Sequence, residues 1–199
     1  MTKSKTTTIT FLGIFSALII LMTFTPIGYL TFGAISATLI HIPVIVGAVL
    51  FGPVSGMILG LVWGVSCVIR AATMGVALDL LFINPLVSVL PRVIVGLLAG
   101  LVFRGLVKCL SSRPGSEIIA ATVSGAVGTL TNTVLVLGML FLIYRNNDMI
   151  TAMIDGGSSL GYIIGTILSV NGLIEILAAV ILVPAISKAL LSVKKRMKA

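Results

Sequence analysis

The sequence predicts an all-α membrane protein, a bundle of six transmembrane helices with structured outer loops. Hydrophobic residues make up 58% of the 199 positions, charged residues only 9%, and the mean hydropathy is +1.27. Soluble domains do not have this balance. Apolar segments long enough to cross a bilayer recur as far as the C-terminus, so the first is interpreted as a retained span and not as a cleaved leader. We therefore expect residues 1–199 to form a single membrane domain.

Proline, glycine and polar clusters divide the apolar sequence into its predicted helices. Thr25-Pro26 ends the first helix, and Gly52-Pro53 joins the second and third in a tight hairpin. Asn84-Pro85 begins the fourth helix, and Ser116-Glu117 begins the fifth. The polar stretch 145–159 separates the fifth from the sixth, which ends in a basic tail. The six helices are expected at approximately 9–27, 34–51, 54–70, 85–107, 117–144 and 160–191.

Basic residues are distributed unevenly between the two sides of this arrangement. The net charge is +8, and all basic residues except Arg70, Arg92 and Arg145 fall in segments that a six-span arrangement places on one side. By the positive-inside rule, the N- and C-termini are then cytoplasmic and the loop at 145–159 faces out. The ten basic residues on the other side are Lys3, Lys5, Arg104, Lys108, Arg113, Lys188, Lys194, Lys195, Arg196 and Lys198.

No motif of an enzyme or of an ATPase is found in the sequence. It contains no G-x-x-x-x-G-K-[ST] phosphate loop and no H-E-x-x-H pair. Basic residues do not alternate with aromatic ones on a polar face, which argues against nucleic-acid binding. Cys67 and Cys109 are predicted near opposite faces and have no partner at metal-ligand spacing. We therefore expect no catalysis, disulfide, metal or cofactor.

Polar side chains inside the predicted spans mark a candidate binding site. Arg92 lies seven residues into helix 4, roughly 10 Å below its outer end. Asn132 in helix 5 and Asn171 in helix 6 lie roughly 15–17 Å deep, and Glu175 follows Asn171 by one turn on the same face. A charge at membrane depth costs at least about 2.5–3.5 kcal/mol, so such residues usually serve function. The alternative is a structural Arg92–Glu175 ion pair, which is compatible with function if it opens when a ligand binds.

Two further residues are candidates for the ligand site, and each also has a simpler explanation. Trp63 is the single tryptophan and lies two turns before Arg70. It can form a wall of an outward-facing site, or it can anchor the helix at the membrane interface. Asn84 can reach a ligand, or it can simply begin helix 4.

Small residues recur every four positions on several predicted helices. Gly56, Gly60 and Gly64 form such a strip on helix 3, where close packing inside the chain is the favoured interpretation. Gly13 and Ala17 form a related pair on helix 1, where a contact with another subunit is plausible.

Five short motifs are spread over nearly the whole chain. They are the run from His41 to Gly56, Gly60-Leu-Val-Trp-Gly, Pro91-Arg92, Thr131-Asn132-Thr133 and Asn171-Gly-Leu-Ile-Glu175. Together they resemble one family, the substrate-binding S components of energy-coupling factor (ECF) vitamin transporters. The first and longest run is similar to the helix 2–3 hairpin of that family.

The resemblance implies a small subunit of the bacterial cell membrane that captures a vitamin from outside with its outer loops and helices 4 to 6. A separate transmembrane coupling protein and two ATPase subunits would supply the energy. Helix 1, with Gly13 and Ala17, would dock on the coupling protein. The segment Gly13-Ile-Phe-Ser-Ala17 departs from the alanine pair typical of the family at this place.

Among vitamins, the pattern most resembles the pantothenate-type members, followed by the riboflavin-type members. Pantothenate is a small anion with hydroxyls and an amide, which one arginine, two amides and a carboxylate acceptor would complement. Riboflavin is larger, neutral and planar, and would favour more aromatic surface. A membrane subunit that serves only structure or assembly remains an alternative of another class. An ion channel is less favoured, because charged rings and a carbonyl-filter signature are missing.

Overall fold

The structure is a computed structural model, which describes residues 3–32, 35–75, 77–144 and 160–196. The predicted outer loop at 145–159 lies outside these residues. Within them the chain forms six α-helices and one two-stranded sheet. The helices are α1 (Lys3–Phe24), α2 (His41–Phe51), α3 (Pro53–Met74), α4 (Pro85–Cys109), α5 (Ser116–Tyr144) and α6 (Leu160–Arg196).

Five of these helices are long and apolar enough to cross a bilayer, which confirms the predicted helical membrane fold. The exception in the described part is α2, whose 11 residues span roughly 16 Å. Ten of its residues, from His41 to Leu50, are buried. The other helices therefore surround α2, and it forms the centre of the bundle instead of facing lipid.

The boundaries predicted for helix 2 were wrong at its N-terminal side. Residues Ile35–Thr38 form a β-strand, β2, that pairs antiparallel with β1 (Tyr29–Phe32), so that Tyr29 lies opposite Thr38. The helix begins only at His41. A short apolar segment is compatible with either state, since its periodicity does not distinguish a strand from a buried helix. Cross-strand pairing with β1, a tertiary feature, decided the outcome.

Two 3-10 segments connect elements at the hairpin end of the bundle. Helix α1 ends at Phe24, and a 3-10 turn at Pro26–Gly28 leads into β1. Another 3-10 segment, Ala77–Ile83, connects α3 to α4. The hydroxyl of Tyr144 donates to the carbonyl of Leu81 at 3.2 Å, so this segment is also attached to the end of α5. The hairpin and this segment lie at the same end of the bundle, where α1, α3 and α5 finish.

The glycine strip of α3 packs inside the chain, as predicted, and its partner is α4. A methyl group on Gly56 would collide with the carbonyl of Gly96, and one on Gly60 would collide with the carbonyl of Arg92. The absence of side chains therefore lets the two backbones touch. Gly13 on α1 differs, because a methyl group there would meet no described atom within 4 Å outside the backbone of its own helix.

Candidate ligand-binding site

A cavity of about 380 Å³ lies at the end of the bundle that carries the β1–β2 hairpin. Its volume is within the range of small-molecule sites. The hairpin, the chain leading into α2, helix α3, the 3-10 segment at Ala77–Ile83 and helix α4 all contribute to its walls. The described lining residues are Tyr29, Thr38, Ile40, Trp63, Cys67, Arg70, Ala71, Asp79, Phe82 and Arg92.

The guanidinium of Arg92 is the buried cation of this cavity. Its side chain is 6% exposed, and one terminal nitrogen donates to the carbonyl of Val87 at 2.6 Å. Val87 is four residues before Pro91, which has no N–H to donate to this carbonyl. Because of the proline, the carbonyl of Val87 stays available, and the side chain of Arg92 donates to it. This bond fixes the guanidinium against its own helix.

Two aromatic rings also contact the guanidinium of Arg92. Its Cζ lies 5.0 Å from the ring centroid of Trp63 and 5.5 Å from that of Phe82, both within cation–π range. The hydroxyl of Ser88 donates to the carbonyl of Phe82, which fixes the position of Phe82. The Nε atom of Arg92 has no acceptor among the described residues. The arginine is thus rigidly placed and still has a donor to offer.

A second arginine lies near the hairpin. Arg70 donates to the hydroxyl of Tyr29 at 3.0 Å, and its Cζ lies 4.7 Å from the centroid of the same ring. Burial raises the pKa of Tyr29 to about 12, so the phenol stays neutral at physiological pH. Asp79, from the 3-10 segment, adds a carboxylate to this part of the wall. The cavity therefore contains two cations and one anion among its described lining residues.

Glu175 binds β2, the second strand of the hairpin. Its Oε1 accepts a hydrogen bond from the main-chain N–H of Thr38 at 2.7 Å, and its side chain is 7% exposed. In the described part of the chain, Arg92 donates to Val87 and Glu175 accepts from Thr38, and no salt bridge joins the two side chains. The alternative of a structural ion pair is not supported by this geometry. Glu175 is a support for the cavity wall.

The three predicted asparagines lie on three different helix segments of the structure. Asn132 on α5 is buried, at 8% exposure, and its side-chain oxygen has no donor among the described residues. Asn171 is half-buried on α6, one turn before Glu175. Asn84 caps α4, accepting from the N–H of Leu86 at 3.0 Å, which matches the simpler of its two interpretations. None of the three is among the described lining residues.

Of the six predicted ligand residues, Trp63 and Arg92 line the cavity directly. Sequence reasoning did not select Arg70 or Asp79 for the site. A signal for both was present, because they are the charged residues of the otherwise apolar stretch at 70–84. The sequence around Thr38 gave no indication of a role in the site, because that role depends on a hydrogen bond to Glu175 on the distant α6.

The predicted docking pair lies on an open face of α1. Gly13 and Ala17 are both exposed, and so are Ile14, Leu18 and Leu21 around them. The described part of this chain leaves that face uncovered.

Comparisons with known proteins agree with this architecture. The family described as ECF transporter, substrate-specific component, matches residues 7–187. The pantothenic acid transporter PanT of Lactococcus lactis subsp. cremoris is 33% identical over 210 aligned positions, which cover 95% of this chain and 98% of the relative. The pantothenate transporter PanT of Leuconostoc mesenteroides is 32% identical over 206 positions, covering 98% of each chain.

A solved structure of ThiT from Listeria monocytogenes has the same fold. The two structures superpose with a TM-score of 0.65 over 94% of this chain and 96% of that chain, at 16% sequence identity. Together with the five apolar helices and the near full-length relatives, this establishes a multi-pass membrane protein. The chain belongs to the substrate-specific components of ECF transporters.

Proposed function

We propose that this chain captures pantothenate from the outside of the cell and delivers it to an energising module. One observation carries this proposal: a buried arginine, Arg92, lines a cavity of about 380 Å³ and keeps a donor without a partner in the described structure. A buried guanidinium favours an anionic ligand, and carboxylates match its geometry. Pantothenate has one carboxylate and a size suited to such a cavity.

The similar proteins support the same ligand. Both curated relatives are named as pantothenate transporters, and each matches this chain over almost its whole length. The cavity also offers groups for the rest of the molecule. Thr38, Asp79 and Tyr29 bring hydroxyl and carboxylate groups that can bond hydroxyls or an amide, and apolar lining is supplied by Ile40 and Ala71.

Delivery requires partners that this chain does not contain. We propose that the exposed α1 face around Gly13 and Ala17 docks on a transmembrane coupling protein, which is driven by two ATPase subunits. The small residues would let the partner helix approach closely, since close packing stabilises helix pairs in lipid. In this scheme both termini are cytoplasmic, the cavity opens outward, and the chain itself performs no catalysis and needs no cofactor.

The test is a binding panel on the purified protein in detergent. Pantothenate is expected to raise the apparent melting temperature and to give a saturable isotherm, because a ligand that binds only the folded state stabilises it. Riboflavin and folate serve as comparisons. Stabilisation by riboflavin alone would support the riboflavin-type alternative, and stabilisation by no vitamin would favour a subunit that serves only structure or assembly.

A further inference from the structure

A pair of buried polar side chains lies between α2 and α5, and neither is among the described lining residues of the cavity. His41 is 0% exposed and Asn132 is 8% exposed. In the described structure the side-chain oxygen of Asn132 has no donor, and neither ring nitrogen of His41 forms a well-aligned hydrogen bond. Buried polar groups are nearly always paired in folded proteins. These two side chains therefore require a partner that the described residues do not supply.

The packing of α2 on α5 places His41 and Asn132 at the same level of the bundle. A methyl group on Gly128 of α5 would collide with the side chain of Ile45 on α2, so the two helices touch there. Helix α2 begins at the hairpin end of the bundle and α5 finishes at that end, so they run antiparallel. His41 lies one turn before Ile45, and Asn132 lies one turn after Gly128. Both therefore lie one turn closer to the hairpin end, on the helix faces that meet.

Contacts through Glu175 on α6 support this placement independently. Its carboxylate accepts from the main-chain N–H of Thr38, three residues before His41. The hydroxyl of Thr133, the residue after Asn132, also lies within hydrogen-bonding reach of this carboxylate. Thr38 and Thr133 are thus joined through one side chain, which brings their neighbours in the sequence close to each other.

The atoms of this pair that lack partners are both acceptors. His41 forms no ion pair in the described structure, and an unpaired charge is costly in a buried site, so its imidazole is neutral. A neutral imidazole has one N–H donor and one acceptor nitrogen. The main-chain carbonyl of Thr38 lies close enough to take the N–H, which leaves the acceptor nitrogen. This nitrogen and the amide oxygen of Asn132 cannot bond to each other, so both need a donor between them.

We propose that His41 and Asn132 bind one water molecule between α2 and α5. A water molecule donates two hydrogen bonds, one to each acceptor, and a buried water with such partners is part of the fold and costly to remove. The bridge joins the first turn of the central helix α2 to the middle of α5. Because His41 also contacts Thr38, the same bridge stabilises the end of β2 that Glu175 binds. The water site does not depend on the identity of the vitamin.

The single histidine of the sequence makes this site directly observable, since isotopically labelled histidine gives signals from His41 alone. The experiment is proton-detected solid-state NMR on the full chain in lipid. We expect one protonated and one unprotonated ring nitrogen at neutral pH, with magnetisation transfer from water to the imidazole. Asn132→Leu should abolish that transfer, and Thr131→Val, on another face of α5, should keep it. Two protonated nitrogens, or transfer from the Asn132 amide in place of water, would overturn the proposal.

Melting temperatures give a second readout of the same bridge. Asn132→Leu and His41→Phe each leave the other acceptor with an incomplete bridge, so each should lower the melting temperature by about 2–4 °C. The double variant should be no less stable than the worse single variant, because two apolar side chains need no water. Additive losses would contradict a shared water. The NMR measurement on the unaltered chain decides the question even if a variant does not fold.

Discussion

Glu175 on α6 and Thr38 on β2 are joined by a hydrogen bond of 2.7 Å across 137 positions of the sequence. Because the donor is the main-chain N–H of Thr38, the bond holds the strand itself and not a side chain. The other strand is attached to α3 through Tyr29 and Arg70. The hairpin that lines the cavity is therefore fixed at both strands, and each attachment uses an ionisable side chain.

Replacing Glu175 should loosen the hairpin. Glu175→Leu leaves the N–H of Thr38 without an acceptor, which costs about 1–3 kcal/mol locally, whereas Glu175→Gln keeps an oxygen in place. We expect amide exchange in 35–40 to be fastest in the leucine variant and intermediate in the glutamine variant. Hydrogen exchange read by mass spectrometry measures this. Leu173→Ala, at an exposed site on the same helix, is the control. Equal exchange in Glu175→Leu and the parent would contradict the assignment.

Removal of the buried cation should weaken binding strongly. Arg92→Ala leaves the ligand carboxylate unpaired in a buried site, and we expect pantothenate affinity to fall by roughly 2–5 kcal/mol. Lysine should restore only part of it, because an ammonium cannot reproduce the planar guanidinium. Dissociation constants and melting temperatures are recorded together. Lys108→Ala, an exposed position in the last turn of α4, should bind normally. Unchanged pantothenate affinity in a folded Arg92→Ala protein would show that Arg92 serves the structure and does not bind the ligand.

Pro91 should position Arg92 through the carbonyl of Val87. Pro91→Ala supplies an N–H that competes for this carbonyl, so Arg92 loses its fixed partner. We expect pantothenate affinity to fall by about 1 kcal/mol while the melting temperature is unchanged or higher. Pro184→Ala, the equivalent change within α6, is the matched control and should leave affinity unchanged. Equal effects of the two substitutions on affinity would show that Pro91 has no special relation to the site.

Two glycines should respond in opposite ways to a large side chain. A methyl group on Gly13 would meet no neighbour among the described residues, so Gly13→Leu should fold and bind pantothenate normally while reducing copurification with the coupling protein. Gly60 touches the carbonyl of Arg92, so Gly60→Leu should overpack the α3–α4 contact at a cost of at least about 1–3 kcal/mol. Thermal stability and pull-down yield are measured for both. Undiminished copurification of Gly13→Leu would exclude this face as the docking surface.

The orientation in the membrane can be tested at the two ends of the bundle. In a variant without Cys67 and Cys109, a cysteine is introduced either at Thr73, near the end of α3, or at Ser112, after α4. Both positions are exposed. An impermeant maleimide applied to intact cells should label Thr73→Cys and not Ser112→Cys, because the bias of basic residues places the latter in the cytoplasm. The opposite labelling pattern would invert the predicted topology.

Sequence alone was sufficient for the helical membrane architecture and for two residues of the cavity. Long apolar segments must form helices in lipid, where every backbone polar group needs an internal partner. Arg92 was recognisable because a charge inside such a segment is costly and therefore unusual. Trp63 was selected from its place on α3 before Arg70. These properties are local, so they can be read from neighbouring residues.

The tertiary structure decided how the cavity is assembled. Strand β2 replaced the expected start of helix 2 because Ile35–Thr38 pairs with Tyr29–Phe32. Glu175, expected to face either a ligand or Arg92, accepts a hydrogen bond from the main-chain N–H of Thr38. Asp79 reaches the cavity through the 3-10 segment. Each result depends on contacts between segments distant in sequence, and hydropathy and helical periodicity carry no information about which of those segments meet.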